Sequence, residues 1–150
     1  MFPDHANDLA AGLAGEHLVC AELLMAGYRA FFAEQICPYD VAVEYNGKLI
    51  RIQVKSTRRP RRIPQRKTHN SAYMWYVRRA GKKGKRVYAE NEFDLLALVA
   101  LDIKQIAYML PSENKNTVHI RHPDVNYNST KLRKTFDMFT FESALGRITE

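Results

Sequence analysis

An acid at Asp40 and the run Gln53-Val54-Lys55 stand on either side of the dipeptide Asn46-Gly47. Asn-Gly between two alternating apolar runs marks a hairpin with a two-residue type I′ turn, because that turn needs positive φ at both central positions. The turn fixes a register: Tyr45 pairs with Lys48, Glu44 with Leu49, Val43 with Ile50, Ala42 with Arg51, Val41 with Ile52 and Asp40 with Gln53. Directly opposed residues share a face, and successive residues alternate. Val41, Val43, Tyr45, Ile50, Ile52 and Val54 therefore form an apolar, core-facing side, and Asp40, Glu44, Arg51, Gln53 and Lys55 a polar one. A carboxylate, an amide and an ammonium thus converge. Hard oxygen donors suit Mg²⁺: Asp40 offers a carboxylate, Gln53 a side-chain carbonyl and Val54 a backbone carbonyl, with positions left for water and phosphate. Such a cation neutralises the charge developing in phosphodiester hydrolysis and lowers the pKa of an attacking water. Lys55, on the same face, can orient that water or stabilise the charged transition state.

These groups must be carried by a sheet and an adjacent helix. Between Asn7 and Met25 the residues Leu9, Leu13, Glu16, Cys20, Leu23 and Leu24 recur at steps of three and four, which predicts a helix ending at Gly27 with this stripe turned inward. Glu16 lies in the middle of the stripe. A carboxylate buried alone costs several kcal/mol, on the order of the penalty for any unpaired ion, so Glu16 needs a partner, a metal, a raised pKa or an exit to solvent at the core's rim. It is the natural fourth member of the Asp40 group. A first strand is expected over 28–33, the hairpin strands over 39–45 and 48–55, further strands over 94–101, 105–110 and 118–121, and a closing helix over 141–148. The run from Asp94 to Leu101 is nearly all apolar and reads as a central strand.

The charge is unevenly spread. Of 23 Lys and Arg, 13 fall between Lys55 and Arg86, a stretch that holds none of the 16 Asp and Glu. One region is strongly positive and the rest mildly negative, which suits a polyanion held at a defined place. Within this region Arg58, Arg59, Arg61, Arg62, Arg66 and Lys67 are interspersed with Pro60 and Pro64, which remove donors and fix φ, so the segment reads as an exposed arm. Strand alternation over 71–79, followed by Gly81-Lys82-Lys83-Gly84 and a strand over 85–88, predicts a basic hairpin presenting Arg78, Lys82, Lys83, Lys85 and Arg86 to nucleic acid.

The length of 150 residues is that of a single domain. No apolar run approaches the roughly 18 residues of a membrane span, and the start Met1-Phe2-Pro3-Asp4-His5 lacks the features of a signal peptide, so a cytoplasmic location is expected. Cys20 and Cys37 lack metal-type spacing and read as reduced packing residues. His119 and His122 would fall on opposite faces of a strand, and Tyr73, Trp75 and Tyr76 read as core aromatics before they read as base-stacking ones. No P-loop and no Ser-His-Asp order is found.

The set Glu16, Asp40 and Gln53-Val54-Lys55 resembles the PD-(D/E)XK nuclease superfamily, in which a helix Glu, an Asp at the start of a hairpin and an acid-x-Lys on its second strand build the metal site. The stretch from Pro38 to Thr57 is similar to the group I intron-associated homing endonuclease branch known from cyanobacteria, which also carries Gln at the position of the acid. Phe93-Asp94-Leu95-Leu96-Ala97 and Tyr108-Met109-Leu110-Pro111 look like its next two strands. The resemblance implies an α/β core, a mixed β-sheet flanked by helices, with catalytic Glu16, Asp40, Gln53 and Lys55, and Mg²⁺ held by Glu16, Asp40, Gln53 and Val54. It implies a site-specific homing endonuclease acting on double-stranded DNA. One active site per chain and two strands to cut make a homo-oligomer, a dimer or tetramer, the economical assembly. A structure-selective nuclease such as a Holliday-junction resolvase, and a catalytically silent DNA-binding module, are the alternatives.

Overall fold

The computed structural model describes residues 8–61, 72–77, 79–81, 84–86, 92–113, 116–125 and 134–148. The helix α1 (Asp8–Met25) opens the chain where the spacing predicts it. Its buried stripe matches the predicted one only at Cys20 and Leu23. Ala11, Gly15, Val19, Cys20 and Leu23 are buried, whereas Leu9, Leu13 and Leu24 are 74%, 47% and 52% exposed. Small side chains let the helix lie close on the sheet, and the three leucines flank the contact instead of filling it.

Strands β1 (Arg29–Phe32), β2 (Val41–Tyr45) and β3 (Lys48–Thr57) follow. The β2–β3 register is the one dictated by the turn, from Tyr45 opposite Lys48 to Val41 opposite Ile52. Asn46 and Gly47 adopt φ of 50° and 74°, the pair of positive values that a type I′ turn demands. Beyond these come β4 (Ala72–Tyr76), β5 (Arg79–Gly81), β6 (Gly84–Arg86), β7 (Leu95–Ala100), β8 (Gln105–Met109), β9 (Thr117–Arg121) and the helix α2 (Phe141–Ile148). The main sheet has the order β1-β2-β3-β7-β8, with β3 and β7 parallel and every other pair antiparallel. Every residue of β7 is buried, as expected of a central strand.

The face of the sheet that carries Gln53 is polar only over β2 and β3. Gln53 and Lys55 lie opposite Leu96 and Leu98 of β7, which belong to a second core with Tyr73, Trp75, Val118 and Ile120. The first core lies on the other face, between the sheet and the two helices. The sheet is therefore covered by helices on one side and by the β4–β9 pair on the other.

The basic hairpin also differs from expectation. The strand anticipated over 71–79 is divided: β4 pairs with β9, and only β5 and β6 form the hairpin, with Gly81 opposite Gly84. Tyr73 and Trp75 explain the division, because their bulk is buried against the main sheet and the Trp75 indole donates to the Val99 carbonyl at 3.1 Å. Ala80 and Gly81 carry no comparable aromatic bulk. No helix among the described residues is long and apolar enough to cross a membrane.

Candidate active site

Strand β2 stops pairing at Val41, opposite Ile52, while β3 runs on to Thr57. Past that point β3 has a bare edge. In a strand the N–H and carbonyl of one residue point to the same side, so Val54 directs both toward the gap where β2 has ended. Asp40 occupies the gap. Its own N–H donates to the Ile52 carbonyl at 2.9 Å, and its Oδ2 accepts the Val54 N–H at 2.8 Å and the Gln53 amide Nε2 at 3.0 Å. The predicted pairing of Asp40 with Gln53 is thus a direct contact. Because Gln53 spends its nitrogen on Asp40, its Oε1 is the atom that a cation would meet.

Glu16 approaches from the helix side. A Cβ at Gly15 would lie 1.8 Å from Ser56 Oγ and 3.1 Å from Ser56 Cβ, so only glycine lets α1 sit this close to β3. Burial raises the Glu16 pKa above its ordinary value, and the charge of Asp40 raises it further, against an opposing effect of His17. Asp40 is also raised, chiefly by burial, opposed by the Val54 N–H and by the Lys55 charge. Glu16 thus feels the charge of Asp40, and Asp40 that of Lys55. Two half-buried acids, the amide of Gln53 and the Val54 carbonyl are hard oxygen groups of the kind a divalent cation takes. Among the described residues no three of His, Cys, Asp and Glu gather as a metal-holding group. That agrees with an amide at position 53, which leaves two carboxylates.

The sequence matches the PD-(D/E)XK endonuclease family over residues 7–142. The chain belongs to that family. The match spans the helix, the hairpin and α2's start, so the endonuclease framework includes every group just described. The fold is similar to that of a bacterial homing endonuclease, I-Ssp6803I, with a TM-score of 0.62 and 16% identity over 84% of this chain and 86% of that one. At that identity the likeness is one of fold. Comparison with curated proteins found no match.

Around this endonuclease site the basic residues are only partly placed. Arg58, Arg59 and Arg61 line a cleft of about 690 Å³ that also includes Lys55 and Tyr76. Arg58 is engaged there by Asp8, at 2.7 Å. Lys85 and Arg86 lie on β6, while Arg62, Arg66, Lys67, Arg78, Lys82 and Lys83 fall outside the described residues.

Sequence reasoning missed a second aspartate beside β3, Asp94, which directly precedes β7. Asp94 receives the Arg51 N–H at 2.8 Å and its guanidinium at 3.1 and 3.2 Å, on the β7 side of the strand. Its signal was legible: an acid just before an apolar strand, with an arginine on the polar face of the hairpin. His122 packs, stacking on Tyr73 with ring centroids 5.8 Å apart, and His119 is exposed. Tyr73 and Trp75 are buried, as expected, and Tyr76 is exposed.

Proposed function

We propose that this endonuclease is a Mg²⁺-dependent enzyme that cuts double-stranded DNA at defined sites, as a homing endonuclease does. The carrying observation is the Asp40 carboxylate, held at the end of β2 by Gln53 and Val54, with the Lys55 charge acting on it and its own charge acting on Glu16. Glu16, Asp40, Gln53 Oε1 and the Val54 carbonyl would hold the cation. When bound, it would offset the charge on the phosphate under attack and make water a better nucleophile. Lys55 projects from the same face of β3 as Gln53 and would hold or supply a proton at the attacking or leaving oxygen. The burial that raises both acid pKa values also strengthens every charge interaction in the gap.

DNA as substrate is supported by the basic stretch that begins at Lys55. Arg58, Arg59 and Arg61 leave the sheet beside the site, and Arg62, Arg66 and Lys67 follow them in the sequence. The hairpin residues Arg78, Lys82, Lys83, Lys85 and Arg86 extend the positive region. One nuclease domain working in the cytoplasm as a dimer or tetramer completes the reading. Self-association is favoured by the edge position of β1 and by Phe31, Phe32 and Ile36, which are 48%, 48% and 94% exposed.

The deciding experiment compares cleavage of a linear duplex library with that of a four-way junction, first in Mg²⁺ and then in Ca²⁺. Fixed-position cuts in the duplex with Mg²⁺ are expected. Preference for the junction would assign a structure-selective resolvase, and absence of any cutting would leave a DNA-binding module.

A further inference from the structure

The outward face of the β4–β9 pair lies outside the catalytic apparatus. Its inward side chains, Tyr73, Trp75, Val118 and Ile120, are buried, so Met74, Tyr76, His119 and Arg121 must lie on the other side. The register places Met74 beside His119, and Ala72 beside Arg121. Arg61 pairs with Ala72 as a bridge at the β4 edge, and its guanidinium donates to the Tyr76 hydroxyl at 2.8 Å and approaches the Met74 sulfur at 3.7 Å. Neither strand contains an acid. The positive charge here is close enough to be felt locally: His119 is pushed below its ordinary pKa first by burial, then by Lys134 and Arg61.

This face continues from the active site. The cleft that begins at Lys55 passes along Arg58, Arg59 and Arg61 to Met74 and Tyr76. We propose that the outward face of β4 and β9, with Arg61 held by Tyr76 and with Arg121 on the neighbouring strand, is a docking surface for the backbone of duplex DNA flanking the cut. The inference rests on the DNA-cutting reading and adds to it a specific surface. Two features favour phosphates over base edges. The pair is fastened to the main sheet along its inner side, so it cannot enter a groove as a free ribbon would. Its donors are cations and a hydroxyl, the groups that contact phosphate oxygens without reading sequence. A five-residue strand spans about 17 Å, enough to follow several phosphates of one strand.

The test measures duplex affinity of the full chain by fluorescence anisotropy in EDTA, at several salt concentrations, on target and random DNA. Arg121→Ala should weaken binding equally on both duplexes and reduce the slope of log K against log salt by about 0.9. Arg121→Lys should restore most of the loss. Tyr76→Phe keeps the ring and removes the hydroxyl that holds Arg61, and should weaken binding about three- to tenfold, the worth of one hydrogen bond. Both side chains are on the outward face, so unchanged thermal unfolding is the expected folding control. Wild-type affinity and slope in both variants would overturn the proposal, and so would a loss confined to the target sequence, which would mean base readout. A wild-type chain that binds duplex in EDTA and still fails to cut it when Mg²⁺ is supplied would remove the DNA-cutting reading, and these variants would still decide whether the β4–β9 face carries the DNA.

Discussion

Asp40 and Gln53 face each other across the end of a hairpin, and the amide nitrogen of Gln53 donates to the carboxylate at 3.0 Å. The glutamine is therefore a neutral donor to the acid it accompanies, at a position where an acid would repel it. Gln53→Glu should destabilise the metal-free protein, because a donor is exchanged for a second carboxylate against Asp40 Oδ2. The expected cost is about 1–3 kcal/mol, the range for a lost partner at a partly buried polar group. Divalent cations should then raise the melting temperature of the variant more than that of the wild type. A variant as stable as wild type in EDTA would mean that the contact contributes nothing.

Asp40→Ala and Lys55→Ala should each abolish cleavage and leave DNA affinity within a few-fold, because affinity comes chiefly from phosphate contacts elsewhere. Glu16→Gln should slow cutting less completely, since Glu16 reaches the site from the helix and shares the charge with Asp40. Single-turnover rates with matched binding curves separate the two effects. Metal-dependent cutting at the wild-type rate by either alanine variant would remove the assignment.

The pH dependence has a definite sign. The folded-state pKa of Asp40 lies above its ordinary value, mainly through burial, so the native protein holds this proton more tightly than the unfolded chain. Its contribution to stability is full below the unfolded pKa of about 3.9 and is lost as pH rises through the folded value. In EDTA, the stability difference between Asp40→Asn and wild type should therefore grow in favour of the variant as pH rises from the acid range toward neutral. Asparagine retains an oxygen to accept from Val54 and Gln53. Added cation should reverse the ranking at neutral pH, because only the wild type presents a carboxylate to it. Denaturant titrations across this range check both signs.

The hairpin was legible in full because a two-residue turn is a local device: Asn46 and Gly47 fix the register, and the register fixes Asp40 against Gln53. The central strand was legible from its unbroken apolar run. What failed was long-range. The leucines of α1 suggested one buried stripe, yet the helix turns Ala11 and Gly15 to the sheet, since closeness to Ser56 is decided by a strand distant in sequence. The same holds for β4, whose pairing with β9 joins Trp75 to Val118 across a separation that no local pattern encodes. Asp94 and Arg51 were readable as types, but their pairing requires knowing that β3 and β7 are parallel neighbours.

Gly15 gives that closeness a direct test. Gly15→Ala would place a methyl group against Ser56 Oγ and Cβ, and such overpacking costs about 1–3 kcal/mol. It should also slow cleavage, because moving α1 outward withdraws Glu16 from Asp40. The pair Gly15→Ala with Ser56→Ala removes the hydroxyl and leaves the contacts of 3.1 Å to Cβ and 3.5 Å to Val54 Cγ1, so it should recover part of both losses. Chemical denaturation and cleavage rates of the single and double variants decide. Recovery of stability without recovery of rate would show that Glu16 does not depend on the helix position.

Arg58 enters the basic stretch with a partner already in place, since Asp8 binds its guanidinium at 2.7 Å while remaining 98% exposed itself. An exposed ion pair of this kind contributes only about 0–1 kcal/mol, so Asp8→Asn should barely alter thermal unfolding. Its effect should fall on DNA. With the competing carboxylate neutralised, Arg58 meets a phosphate without displacing Asp8, and duplex affinity should rise a few-fold with a salt slope steeper by up to about 0.9. Neutralising Arg58, Arg59, Arg61 and Arg62 together should flatten the slope by up to about three to four units on the same basis. The two experiments check each other, because a phosphate path along this arm requires the first change to strengthen binding and the second to weaken it. If the slope were unchanged in both, the arm would be a solvated surface feature and the DNA would have to run elsewhere.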